Sequence, residues 1–80
     1  METVINRENL IVGARQSMKA LVNGRVSEVY MADDSDEFIK KDFIRECSAR
    51  SINIVRYVTM AELGRYCGIE IGAAVACQTK

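Results

Sequence analysis

The 80-residue sequence contains no histidine, no tryptophan and no proline. Without histidine, the Ser-His-Asp triad, the Cys-His pair and imidazole zinc sites all lose their usual player. Cysteine is sparse: Cys47, Cys67 and Cys77 are odd in number and widely spaced, with no Cys-x-x-Cys. That pattern argues against a disulfide framework or a zinc site. Each thiol is expected to lie in an apolar setting, as a small core hydrophobe in a reducing compartment. No apolar run approaches the roughly 18 residues that a membrane span needs. Met1-Glu2-Thr3-Val4 lacks the basic start and apolar middle of a signal peptide, so the cytoplasm is the expected location. Formal net charge is zero, which counts against a disordered basic tail but not against a local basic face.

What is present is a globular balance, 49% apolar and 28% charged residues. The length allows one small domain over residues 1–80 and leaves little room for a deep catalytic cavity. Short apolar runs alternate with helical segments. Leu10-Ile11-Val12 is β-rich and ends at Gly13. Arg15 to Asn23 reads as helical, with Met18, Leu21 and Val22 at i, i+3, i+4. Gly24 suits the left-handed position just past a helix, although Asn23-Gly24 also fits a hairpin. Val26 to Met31 is a second strand. In the acidic turn that follows, Asp34 and Glu37 have capping-box spacing. A helix from about Asp36 to Arg50 is expected to bury Ile39, Phe43 and Cys47. Ile52 to Val58 is a third strand, Thr59 caps a helix that ends at Gly68, and Ile69 to Thr79 reads as a last extended run. Four strands alternating with about four helices predict an α/β domain with helices on both faces of a sheet.

Charge is uneven along the chain. Residues 28–46 hold seven acidic and three basic side chains, whereas residues 1–27 and 47–80 each hold four basic and two acidic. The two ends are mildly basic, which leaves room for a basic face built from them.

Three segments have chemistry worth weighing. In Gly13-Ala14-Arg15-Gln16-Ser17-Met18-Lys19 a strand meets a glycine and a helix opens at once. The free N–H groups and dipole of such an end suit an anion. Arg15 and Gln16 can make two-pronged contacts to base edges, and Lys19, one turn on, can meet a phosphate. An ordinary polar first turn gives the same pattern. In Gly68-Ile69-Glu70-Ile71-Gly72, two aliphatics beside one carboxylate fit either a platform for an unstacked base or the inward face of a strand. Asp33-Asp34-Ser35-Asp36-Glu37 lacks the glycine and distal glutamate of a calcium loop, so helix capping outweighs a metal site. The three tyrosines are scattered and read as packing residues.

Residues 10–21, Val29 to Asp34 and Glu62 to Ala74 together resemble the kink-turn RNA-binding ribosomal proteins of the L-seven-Ae type, in particular the short bacterial members. The resemblance covers roughly residues 4–77 and is strongest at the helix-opening segment and at Leu-Gly-x-x-Cys-Gly-Ile-Glu-Ile-Gly. It implies a three-layer α/β/α sandwich around a four-stranded mixed sheet, and no cofactor or metal. Its implied partner is structured RNA containing a kink-turn, a sharp bend with a bulge beside sheared G·A pairs, with the ribosome as a further associate of a monomeric protein. By the same resemblance, Gly13 and Ala14 bring backbone to the RNA, Arg15 and Gln16 read guanine edges, and Lys19 meets RNA nearby. Ile69, Glu70 and Ile71 cover the flipped-out nucleotide, which Asp36 also approaches. The rival expectation is a protein-interaction module that keeps the fold without the RNA, favoured by the acidic middle, Glu37, Glu70 and the zero net charge. An enzyme is the poorest fit, because no acid–base pair is indicated.

Overall fold

The computed structural model describes residues 7–80. A 3-10 turn, Arg7–Asn9, leads into strand β1, Leu10–Val12. Helix α1, Ala14–Val22, and strand β2, Val26–Ala32, follow. Helix α2 is Glu37–Arg50 and β3 is Asn53–Tyr57. Helix α3, Met60–Cys67, precedes β4, Val75–Thr79. The chain is an α/β fold with a mixed four-stranded sheet in the order β1-β4-β2-β3. β4 is antiparallel to both β1 and β2, and β2 is parallel to β3.

Alternation along the central strands builds the two faces of the sheet. Val29 and Met31 of β2, with Val75 and Cys77 of β4, face one way and meet Leu21 of α1 and Phe43 and Cys47 of α2. Tyr30, Ala32 and Ala76 face the other way and meet Leu63 and Cys67 of α3. A period of two in the strands thus demands helices on both sides. The result is the expected three-layer sandwich, with α1 and α2 on one face and α3 on the other.

The helix ends follow local chemistry. Asp36 Oδ1 accepts from the Phe38 and Ile39 amides at 2.8 and 3.3 Å and caps α2. Thr59 Oγ1 accepts from the Glu62 amide at 3.0 Å and caps α3. Gly68, at φ 80°, closes α3 in the left-handed region that glycine enters without steric cost. Gly24, at φ 72°, does the same past α1, which resolves the Asn23-Gly24 ambiguity in favour of a helix end.

Four local expectations need correction. Asp34 does not cap α2; its carboxylate accepts from the Met60 amide at 2.8 Å, 26 residues on, and so serves the start of α3. Helix α1 buries Ser17, Ala20 and Leu21, with Met18 half-buried and Val22 48% exposed. Its buried stripe lies one residue earlier than hydrophobicity predicts, because small side chains let the helix sit close to the sheet. The run from Ile69 to Thr79 is not one strand: β4 begins at Val75, and residues 68–74 form a loop held along α3. Three α-helices and one 3-10 turn form among the described residues, where about four helices are expected.

The three cysteines are free and buried, as expected of small core residues. Tyr57 lies between Tyr30 and Tyr66, at ring-centroid distances of 6.4 and 5.2 Å. The row joins the sheet to α3, which carries Tyr66.

Candidate nucleic-acid interface

Strands β1, β2 and β3 all run antiparallel to β4 or parallel to one that does, so they end at the same edge of the molecule. A helix follows each of them. The N-termini of α1, α2 and α3 therefore gather at one end of the sheet, each bringing partial positive charge. The three ends differ in how their amides are used. Asp36 caps α2, and Thr59 and Asp34 serve α3. Helix α1 starts from Gly13, at φ 111° and ψ 141°, with no side-chain cap and no acidic residue in its first turn. Its first-turn donors stay open to an outside acceptor.

The loop before β4 reaches this same end from the other face of the sheet. The Ile69 amide donates to Gly64 O at 3.0 Å, and the Ala73 amide donates to Met60 O at 3.0 Å. The loop thus runs back along α3 towards that helix's start. It hands the chain to Val75, whose carbonyl accepts from the Gly13 amide at 2.8 Å. Val12 and Ala76 pair across β1 and β4 just below. That backbone bond joins the opening of α1 to the strand the loop feeds.

Among the residues singled out in the sequence, Arg15, Gln16 and Lys19 are exposed on α1, and Gly13 and Ala14 are half-buried at its start. Ile69 is half-buried against the cluster under α3. Glu70 is exposed, and Ile71 is 75% exposed. An aliphatic side chain left that far in water stabilises no core, so Ile71 is a surface element rather than the inward face of a strand. Asp36 opens the neighbouring α2, with its Oδ1 committed to capping. The structure thus brings the start of α1, the start of α2 and the 68–74 loop to one end, while the side chains of α1 and those of the loop arise on different faces of the sheet.

The acidic turn at this end is largely neutralised from within. Asp33 pairs with Arg56 at 2.6 Å, and Glu37 pairs with Lys40 at 2.9 Å. Lys40 Nζ also donates to Asp33 O at 2.6 Å. Asp34 and Asp36 accept helix amides, and Ser35 Oγ donates to Ala32 O at 2.7 Å. No group of three His, Cys, Asp or Glu converges as a metal site among the described residues. Sequence reasoning missed the pairing of Asp33 with Arg56, 23 residues apart; the alignment of β2 with β3 creates it.

A model of the ribosomal protein L7Ae/L30e/S12e/Gadd45 family matches residues 1–80. The chain belongs to this family. Similar members of the L7Ae/L30e/S12e/Gadd45 group include RNA-binding protein TTE2299 of Caldanaerobacter subterraneus subsp. tengcongensis. It is 47% identical over 66 residues, which are 82% of this chain and 80% of that protein. RNA-binding protein BH0128 of Halalkalibacterium halodurans is 33% identical over 79 residues, 99% of this chain and 96% of the relative. Among solved structures, a protein of unknown function from Bacillus halodurans C superposes with a TM-score of 0.82 at 26% identity, over 90% of this chain and 72% of that one. The Giardia lamblia 15.5kD RNA binding protein superposes with a TM-score of 0.83 at 24% identity, over 91% and 62%. At that identity the Giardia likeness speaks for the L7Ae-type fold alone. The names these relatives carry are those of RNA-binding proteins, not of enzymes.

Proposed function

We propose that this chain binds RNA and stabilises its kink-turn form, using the first turn of α1 and the apolar loop before β4. The observation that carries this reading is the contrast between the helix starts: α2 and α3 are closed by side chains, and α1 alone of the three is left uncapped beside Arg15, Gln16 and Lys19. Membership of the L7Ae/L30e/S12e/Gadd45 family and the names of its relatives support RNA as the ligand.

The chemistry is that of shape stabilisation. A kink crowds phosphates, and an uncapped helix start with neighbouring cations offsets their repulsion. Arg15 and Gln16 offer paired donors, or a donor and an acceptor, to base edges at the bend. Lys19 meets the backbone as a point charge. Ile69 and Ile71 shelter the nucleotide that the bend expels from its stack. A protein that binds the kinked conformer more tightly than the open one shifts the population towards it, with no bond made or broken. A cytoplasmic, monomeric protein associated with ribosomal or other structured RNA is the setting this reading fits.

The test is titration of a kink-turn RNA, the same RNA with its G·A pairs disrupted, and a plain duplex, each at two salt concentrations. Clear preference for the intact kink-turn is the expected result. Equal affinity for all three RNAs overturns the reading.

A further inference from the structure

Basic side chains in this molecule divide by their company. Lys40, Arg45, Arg50 and Arg56 each pair with a carboxylate. Lys19 and Arg25 form no ion pair among the described residues, yet both open onto one cavity of about 180 Å³ beside α1. Gln16 and Asn23 complete its polar wall, with Ile11 and Ala20 beneath. Two cations and two amides around one opening, with no carboxylate on its lining, favour an anion.

The frame of the cavity is fixed by backbone bonds. The Arg25 amide donates to Ala20 O at 3.0 Å, and Arg25 O accepts from the Lys80 amide at 2.9 Å. Three of the four carbonyls that would make the end of α1 negative, those of Lys19, Ala20 and Leu21, are also occupied. Asn23 N–H donates to Lys19 O, and Gly24 N–H donates to Leu21 O. The turn therefore blunts the unfavourable end of the helix dipole just where Arg25 stands. Only side-chain freedom must be given up when an anion is held here.

We propose that this cavity is a phosphate site, with Arg25 its principal cation, that carries an RNA backbone along α1 away from the base-reading turn. The proposal rests on the reading of α1 as the RNA-contacting helix, and Gln16 and Lys19 are common to both. Its ligand is the phosphodiester group; the cavity confers affinity and register, not base choice. Nothing in the sequence marks Arg25 for this role, because it follows the helix rather than lying on it. Closing the turn through Gly24 returns Arg25 to the flank of α1.

The test compares wild type with Arg25→Ala, Arg25→Lys and Arg50→Ala on a kink-turn RNA, the same RNA with its G·A pairs disrupted and a plain RNA duplex, across a salt series. Arg25 is exposed, so folding is preserved, and circular dichroism verifies it. Arg50, already paired with Glu46 at the end of α2, is the charge-matched control. Arg25→Ala is expected to bind all three RNAs several-fold more weakly at low salt. It lowers the slope of log affinity against log salt by about one, with G·A discrimination kept. Arg25→Lys restores the slope, and Arg50→Ala leaves it unchanged. An Arg25→Ala slope equal to wild type overturns the phosphate site, as does loss of G·A discrimination. If wild type fails to prefer the kink-turn, the base-reading proposal falls, while the duplex slopes still decide Arg25.

Discussion

A methyl group added at Gly64 of α3 would lie 2.2 Å from the carbonyl oxygen of Ile71. Real side chains never approach backbone so closely, so the loop rests where it does because residue 64 has no Cβ. The fit is reciprocal: a Cβ on Gly72 would meet Met60 Cβ at 3.1 Å. Two glycines allow the loop to lie flat along α3.

Gly64→Ala must push residues 69–72 outward. Overpacking of this kind costs about 1–3 kcal/mol. Urea unfolding followed by circular dichroism is expected to show that loss, with the slope against denaturant unchanged. Weakened kink-turn binding with an unaltered salt dependence would follow, since the cations of α1 are untouched. Wild-type stability in the variant would mean that the loop yields freely.

Gln16 and Lys19 lie on the same helix but have different expected roles. Gln16→Ala is predicted to cost about 1–3 kcal/mol of binding and to relax discrimination against disrupted G·A pairs. Lys19→Ala is predicted to weaken all kink-turns alike and to reduce the salt slope by about one. If Gln16→Ala keeps the wild-type ratio between intact and disrupted RNA, its role in reading bases is wrong.

Asp34 links the acidic turn to α3 through the Met60 amide, and Thr59 caps the same helix. Removing a cap costs about 0.5–2 kcal/mol. Thr59→Ala and Asp34→Ala are each expected to fall in that range by thermal unfolding. The two serve neighbouring amides of one helix end, so the double variant should depart from additivity. Strict additivity would show that they act independently.

Stability is expected to decline in alkali. Burial holds the Cys47 and Cys77 thiols above the ordinary value of 9.0. The neighbouring Ser17 hydroxyl tempers the shift at Cys77, though no hydrogen bond of normal geometry fixes its buried Oγ. Burial likewise raises Tyr57, and raises Tyr30 well beyond the ordinary tyrosine range with help from Glu28. These groups lose protons sooner unfolded than folded, so stability is full below pH 9 and falls as pH rises through their raised values. Denaturant midpoints measured from pH 7 to 11 test this, and Cys77→Ala should flatten the first part of the fall. On the acid side, Arg50 and then Arg45 hold the half-buried Glu46 below its ordinary 4.5. That small contribution is present above pH 4.5 and lost below it.

Much of the architecture was legible in one dimension because its causes are local. Thr59 with Glu62 three residues on marks a cap, and Ile39, Phe43 and Cys47 mark the buried stripe of α2. The errors fall where a distant partner decides. Asp34 and Glu37 have the right spacing for a box on α2, but the Met60 amide from another helix claims Asp34. Ile69 to Thr79 reads as extended by composition, yet only Ala74, whose carbonyl accepts from the Ala32 amide, reaches a neighbouring strand before Val75, and α3 holds Ile69 and Ala73 instead.

The sequence by itself determined the strand–helix alternation, the cap of Thr59, the glycine stop at 68, and the resemblance on which the proposed RNA-contacting segments rest. Each depends on contacts within a few residues or on patterns readable in order. Tertiary structure alone decided that three helix starts share one end, that Asp33 is neutralised by Arg56, that Gly64 seats the loop, and that Arg25 joins Lys19 around one cavity. Those relations depend on strand order and crossover, which bring together residues that the chain keeps apart.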